Sequence, residues 1–251
     1  MKTIVLSIVF LLAAQAQANK GLEIMTKADK VNNGFLGEQS TMHMILINAH
    51  GDKVERKMDS IVKETEKDGD KSIITFKWPA DVKGTKMLTW SHKEGTDDQW
   101  LYLPALKRVK RITSRNKTGS FMGSEFSYED LGSPEVEKFT YTFVKEDKLN
   151  GRKVWIIDRK STDKNTGYSN ERVYMDQEYQ NPLKIEYFDR KKELLKVAEF
   201  LDYKKYGNFW RQNKIEMKNV QTKKQSVLTW ENRELNKKFT DSKFNQNRLK
   251  I

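Results

Sequence analysis

The sequence has no cysteine, and only three histidines and four prolines occur among its 251 residues. Without cysteine the chain cannot form disulfides, thiolate nucleophiles or cysteine-ligated metal centres, and it lacks the side chain that would carry an acyl anchor. His43, His50 and His92 show no metal-ligand spacing, and no Gly-x-Ser-x-Gly elbow, phosphate-binding loop or His-Glu-x-x-His motif is present. We therefore expect no enzymatic activity, no cofactor and no metal site.

Long hydrophobic runs are also scarce, because 33% of the residues are charged and only 37% are hydrophobic. One marked run, residues 4–14, follows Lys2 and precedes the small-x-small sequence Ala16-Gln17-Ala18. This arrangement is typical of a secretory signal peptide, and the run is shorter than the ~20 residues that a membrane-spanning helix needs. We predict a signal peptide over residues 1–18, cleaved after Ala18. The mature chain, residues 19–251, then reaches the periplasm without an integral membrane anchor.

The mature chain has a length typical of one all-β domain, and we expect it to be a monomer. Its charge is strongly positive, since the full sequence carries 47 Lys and Arg against 35 Asp and Glu, a formal net charge of +12. Such a balance favours an anionic partner. The export signal argues against nucleic acid as that partner.

Apolar and polar residues alternate with a period of two from about Thr41 to Trp230, as in the run Ile74, Phe76 and Trp78. Turn-forming clusters such as Asn150-Gly151 separate these runs at strand-length intervals. We predict a mainly β fold of about ten or eleven strands, paired antiparallel because the connections are too short for crossover helices. A sheet of this size curls into a barrel or half-barrel.

An amphipathic helix is predicted before the sheet, over residues 22–35. Ile24, Ala28, Val31 and Phe35 fall on one helical stripe at spacings of four, three and four. At the other end of the chain, residues 236–251 are polar apart from a few apolar side chains. We expect this segment to form a turn or short helix attached to the sheet.

The long connection over residues 114–133 lacks any regular period but holds Gly119, Gly123 and Gly132 around several aromatic side chains. This composition is consistent with a movable flap over an apolar face, and equally with a loop that plugs the end of a core. A cluster of cations stands just before this connection and at its start: Lys107, Arg108, Lys110, Arg111 and Arg115. They predict contact with an anionic head group or an acidic partner, although a charge run is often no more than a solvated face.

Two motifs in this region resemble a known family. They are the WLYLP sequence at residues 100–104, followed by the basic strand, and the SFMGSEFSYEDL block at residues 120–131. Together they resemble the LolA-like family of outer membrane lipoprotein-sorting proteins, whose members more often have Asp where this chain has Glu125. The resemblance implies an antiparallel half-barrel that is lined by apolar side chains, lidded by helices and a loop, and able to carry acyl chains of lipoproteins or other lipids through the periplasm. It also implies work beside an RND-type inner-membrane transporter.

A dry cavity suits such a carrier, because each methylene exposed to water costs about 0.8 kcal/mol. Aromatic side chains and methionines make an adaptable lining, although ordinary core packing is the alternative for each of them. An envelope sensor or adaptor that uses the same fold to regulate or dock a membrane partner, and a structural β-domain with a filled core, remain open. The candidate lining residues are Met42, Met44, Trp78, Met87, Trp90, Trp100, Tyr102, Phe121, Met122, Phe126, Tyr128, Phe143 and Trp155.

Overall fold

The computed structural model describes residues 2–250, and for residues 2–14 it describes the backbone alone. The predicted signal peptide falls largely on residues 1–14, whose side chains lie outside the described residues, so its cleavage after Ala18 stays a prediction. No helix within the described part of the chain is long and apolar enough to cross a membrane.

One helix precedes the sheet, α1 (Lys2–Asn32), and it begins earlier than the sequence stripe indicated. Ile24 and Ala28 are buried as predicted, and Met25 is buried beside them. Gly21 permits the helix to approach the sheet closely, since a Cβ at this position would lie 3.0 Å from the amide nitrogen of Phe143. The predicted stripe is wrong for Val31, which is 45% exposed at the last turn of the helix, one residue before α1 ends.

Fifteen strands follow the helix within the described residues, more than the ten or eleven predicted, because several are only three to five residues long. Such short strands contain too few residues to show a period of two. In chain order they are β1 (Gly37–Ile47), β2 (Lys53–Lys63), β3 (Lys71–Trp78), β4 (Lys86–Trp90), β5 (Asp98–Leu103), β6 (Arg108–Ile112), β7 (Phe139–Leu149), β8 (Arg152–Ser161), β9 (Tyr168–Asp176), β10 (Pro182–Asp189), β11 (Leu194–Leu201), β12 (Lys204–Tyr206), β13 (Phe209–Arg211), β14 (Lys214–Asn219) and β15 (Gln225–Glu234).

Thirteen of these strands form one sheet in the order β6-β5-β4-β3-β2-β1-β15-β14-β11-β10-β9-β8-β7, and every neighbouring pair is antiparallel. The two end strands, β6 and β7, are not paired with each other, so the sheet is curved but does not close into a barrel. The mainly β, open antiparallel fold is therefore confirmed. The remaining two strands, β12 and β13, form a separate ribbon whose Arg211 donates hydrogen bonds to Asn32 at the end of α1.

The two faces of the sheet bury different side chains. In the β4–β5 pair, Met87 lies opposite Leu101 and faces the main core, which α1 covers. The next pair, Leu88 and Trp100, faces the other side and packs against Phe244 of the C-terminal segment. That segment forms two short 3-10 helices, Asp241–Phe244 and Gln246–Arg248, and so follows the expectation of a turn or short helix attached to the sheet.

The segment between β6 and β7, residues 113–138, crosses the main core and is called here the cover segment. It contains two short 3-10 helices, Tyr128–Leu131 and Val136–Lys138. A tight hairpin in its middle is closed by the Phe121 amide, which donates to the Phe126 carbonyl at 2.7 Å. Both phenylalanines are buried, and the Phe121 ring packs 5.8 Å from the ring of Phe76 on β3. The cover segment therefore packs its aromatic side chains into the curved sheet.

Candidate functional site

The curved sheet, α1 and the cover segment enclose a cavity of about 1170 Å³. This volume exceeds the ~300–1,000 Å³ of most small-ligand pockets. Apolar side chains form much of its wall, including Met25 of α1, Val173 and Met175 of β9, Ile185 of β10 and Leu228 of β15. The core of the half-barrel is therefore not filled, and the space can accept an apolar ligand.

Glu125 anchors the cover segment to three strands of the sheet. Its amide donates to the Ser226 hydroxyl of β15 at 3.0 Å, and its carboxylate accepts a hydrogen bond of 2.8 Å from the Asn219 amide of β14. Its carbonyl accepts from the Lys196 ammonium of β11 at 3.0 Å. These contacts fix residues 120–131 of the cover segment across the wall of the cavity.

A buried ion pair attaches the cover segment to the sheet a second time, at Asp130. The Lys196 ammonium lies 2.6 Å from the Asp130 carboxylate, and the two side chains are only 4% and 6% exposed. The Tyr168 hydroxyl donates to the other carboxylate oxygen of Asp130 at 2.8 Å. Burial, with the nearby negative charge of Asp130, raises the pKa of Tyr168 well above its usual value, so this hydroxyl stays a donor.

A second buried ion pair forms part of the cavity wall itself. Arg159 on β8 and Glu171 on β9 are cross-strand partners, and the guanidinium donates two hydrogen bonds, of 2.9 and 2.6 Å, to one carboxylate oxygen. The guanidinium also stacks over the ring of Phe139 at 4.3 Å. The wall therefore includes a fixed pair of charged side chains that can orient a polar group of a ligand.

Carboxylates gather at the mouth of the cavity, where the 64–70 turn meets the end of α1 and residues 133–138. Asp29, Glu64, Asp70 and Glu135 all line it. Burial raises the pKa of Asp70 to about 7, and the negative charges of Glu135 and Glu64 add to this shift. Burial also raises the pKa values of Asp29 and Glu135. The mouth therefore disfavours the charged forms of these three carboxyl groups, and Lys93 and Lys138 of the same lining offset part of that effect for Asp29 and Glu135.

The raised pKa of Asp70 predicts a pH dependence of stability. The folded protein binds the proton of Asp70 more tightly than the unfolded chain does. Proton binding by Asp70 therefore stabilises the fold fully below about pH 4, and this stabilisation is lost as the pH rises through about 7. We expect Asp70→Asn to increase the free energy of unfolding at pH 8 by about 2 kcal/mol and to leave it nearly unchanged at pH 4. Urea unfolding at both pH values measures this. Glu66→Gln, at an exposed position of the same turn, is the control, and an equal gain at both pH values would contradict the assignment.

The structure places the predicted lining residues in three environments. Met42 and Phe126 line the cavity. Trp90, Trp100 and Tyr102 belong to the cluster on the opposite face of the sheet, and the Trp90 indole donates to the Phe244 carbonyl there. Trp78 is 49% exposed at the end of β3. The others pack in or against the main core without lining the cavity: Met44, Met87, Phe121, Met122, Tyr128, Phe143 and Trp155.

The predicted basic cluster lies on β6, the edge strand, and on the turns beside it. Lys107, Arg108, Lys110, Arg111 and Arg115 are all exposed, and Arg111 forms an ion pair with Asp98. Cations on an edge strand also discourage pairing with another sheet, which is a purely structural role. The cluster lies outside the cavity wall.

Sequence reasoning missed the charged part of the site, which includes Asp70, Asp130, Arg159, Glu171 and Lys196. The signal for two of them was present, because Arg159 follows Ile157 and Glu171 precedes Val173 at the inward positions of their strands. A charged residue at an inward strand position indicates a buried pair or a ligand site. Asp70 and Asp130 stand in irregular segments, where no period assigns them a direction.

Known structures share this architecture. A domain classed as an outer membrane lipoprotein-sorting protein domain, from Vibrio parahaemolyticus, is 46% identical with a TM-score of 0.91, covering 93% of this chain and 100% of that one. A DUF1329 family protein from Desulfovibrio piger is 28% identical with a TM-score of 0.88, covering 93% and 99%. A LolA superfamily protein from Nitrosomonas europaea shares the fold at 16% identity, with a TM-score of 0.72 and coverage of 90% and 97%.

Sequence comparison adds one family match. The family model that matches residues 68–251 describes its members as an uncharacterized protein. No curated protein sequence matches the chain. The matched residues include all thirteen strands from β3 to β15, the cover segment and the C-terminal segment.

Proposed function

This chain belongs to the LolA-like family of outer membrane lipoprotein-sorting proteins, and on that premise we propose that it is a periplasmic carrier of acyl chains. The cargo would be a lipoprotein or another lipid, moved towards the outer membrane or to a transporter. The observation that carries the proposal is the cavity of about 1170 Å³ between the curved sheet, α1 and the cover segment. The proposed role is binding, with no catalytic step.

The wall of the cavity suits an acyl chain. Each methylene removed from water contributes about 0.8 kcal/mol, so a chain of a dozen methylenes needs a long apolar surface. Met25, Met42 and Met175 contribute thioethers to that surface. Because methionine side chains adopt many conformations, they can repack around chains of different shape.

The carboxylates at the mouth favour a cargo whose polar end is neutral. In their ionised forms Asp29, Glu64 and Glu135 would repel the head group of a free fatty acid or of an anionic phospholipid, and Lys93 and Lys138 beside them would offset part of that repulsion. The acylated amino terminus of a lipoprotein carries ester and amide groups without charge, and therefore fits this rim better. The transporter of the RND type that the resemblance implies stays a prediction, since the descriptions of the similar structures name no transporter.

The proposal predicts that lipid is recovered with the protein. The protein is purified from its native envelope, its bound material is extracted, and the extract is identified by lipid mass spectrometry. We expect acyl-containing molecules in stoichiometric amount, together with saturable binding of a fluorescent acyl glycerol that is tighter than binding of the matching fluorescent fatty acid. Recovery of no lipid and no binding of either probe would contradict the carrier role. Intact-mass measurement of the same sample tests removal of residues 1–18.

A further inference from the structure

Four turns lie side by side where neighbouring strands end, on one side of the sheet. The 48–52 turn joins β1 and β2, the 79–85 turn joins β3 and β4, and the 104–107 turn joins β5 and β6. The 220–224 turn lies beside the first, because Gln225 of β15 pairs with Ile47 at the end of β1. A Cβ at Gly84 would lie 3.2 Å from the Pro104 ring, so the second and third turns touch. We call these four turns and the strand residues next to them the turn edge.

The turn edge exposes an unusual share of apolar surface. Of the eight large hydrophobic side chains that are exposed in the described part of the chain, four lie here. Leu106 is 63% exposed at the tip of its turn, and Trp78 is 49% exposed at the end of β3. Val54 and Val220 are the other two. Single exposed apolar residues are ordinary, but several at one edge mark a surface that contacts something apolar.

Positive charge surrounds these apolar side chains. Exposed carboxylates at the same edge are Asp52, Glu55 and Asp81, and Glu55 is paired with His43. Lys77 is paired with Asp59. The other exposed cations of the turn edge outnumber the carboxylates: Lys53, Lys57, Lys83, Lys107, Arg108, Lys223 and Lys224.

We propose that the turn edge docks the protein onto an anionic phospholipid membrane surface, with Trp78 and Leu106 inserted between the head groups and the surrounding cations bound to lipid phosphates. Tryptophan favours the membrane interface because its ring is apolar and its N–H can remain hydrated. Cations near an anionic bilayer each contribute attraction that decays within a Debye length. An acidic protein surface would use the cations but would leave Trp78 and Leu106 without a comparable apolar partner. This docking is independent of cargo in the cavity, which the turn edge does not line.

Vesicle flotation tests the proposal with the protein purified from its native envelope. Vesicles of phosphatidylethanolamine with phosphatidylglycerol are compared with vesicles of phosphatidylcholine alone. We expect binding to the anionic vesicles that falls as salt is added, and little binding to the neutral ones. Lys107→Gln with Arg108→Gln should weaken binding about fivefold for each cation removed. Leu106→Ser, alone and combined with Trp78→Ser, should weaken it further at every salt concentration.

The controls separate docking from general effects of charge and folding. Val144→Ser with Lys148→Gln removes an exposed valine and an exposed lysine from β7, away from the turn edge, and should leave vesicle binding unchanged. Thermal unfolding should be nearly unchanged in all these variants, because every replaced side chain is exposed. Equal binding by the turn-edge variants and the native protein would overturn the proposal. Binding to polyglutamate without binding to anionic vesicles would also overturn it, and would indicate an acidic protein partner instead.

Discussion

Asp130→Ala is expected to lower the free energy of unfolding by about 3–5 kcal/mol, because it leaves the Lys196 ammonium buried without its counter-charge. The two side chains are 4% and 6% exposed, so water cannot replace the lost partner. The same substitution removes the acceptor of the Tyr168 hydroxyl and of the Ser127 amide. Against a typical domain stability of about 5–15 kcal/mol this is a large loss. Urea unfolding followed by circular dichroism measures it.

A second variant distinguishes the unpaired charge from a loss of packing. Adding Lys196→Met to Asp130→Ala should recover a large part of the lost stability, because a buried ion pair replaced by apolar groups of similar volume is often neutral. Asp59→Ala breaks the exposed pair with Lys77, which is 3.1 Å long, and should change stability by less than about 1 kcal/mol. If Asp130→Ala behaves like Asp59→Ala, the Lys196–Asp130 pair does not hold the cover segment. Additive losses in the double variant would also contradict the argument.

The strands could be predicted from the sequence because a half-buried strand imposes its period of two locally. Phe76, for example, stands between Thr75 and Lys77, and this alternation is visible whatever lies across the sheet. The face on which each run lies could not be predicted in the same way. Trp100 looked like a cavity residue, yet its pairing with Leu88 places it on the face that Phe244 covers. That pairing depends on the register between strands and on a segment more than a hundred residues away.

In the candidate site, likewise, features formed by neighbouring residues could be predicted from the sequence, and contacts between distant segments could not. The block around Phe121 and Phe126 is recognisable from sequence as a flap over an apolar face or a plug at the end of a core, because its glycines and aromatic residues are close in sequence. Its attachment to Lys196 and Asn219 joins residues more than sixty positions apart. The carboxylates at the mouth likewise come from α1, a turn and the cover segment. The residue pattern within any one segment does not predict that these groups meet.

Filling the cavity should abolish most binding of an acyl ligand without unfolding the protein. Ser72 on β3 lines the cavity and is half-buried, so Ser72→Trp places an indole in the space that the ligand would occupy. Tryptophan is also well tolerated in strands. If the indole displaces three or four methylenes of the ligand, the loss is about 2–3 kcal/mol, which weakens binding about 30- to 150-fold. Titration with the fluorescent acyl glycerol measures the change.

Thr75→Trp is the matched control, because it adds the same side chain three residues later on the same strand but on the opposite face. Ile74 and Phe76 face the main core, whereas Ile73 belongs to the cluster under the C-terminal segment, and Thr75 shares the side of Ile73. It should therefore leave the affinity for the acyl glycerol unchanged. Equal loss in both variants would indicate a general disturbance of the sheet. Unchanged affinity in Ser72→Trp, with folding intact, would show that the acyl chain binds elsewhere, because an indole and a ligand cannot occupy the same volume.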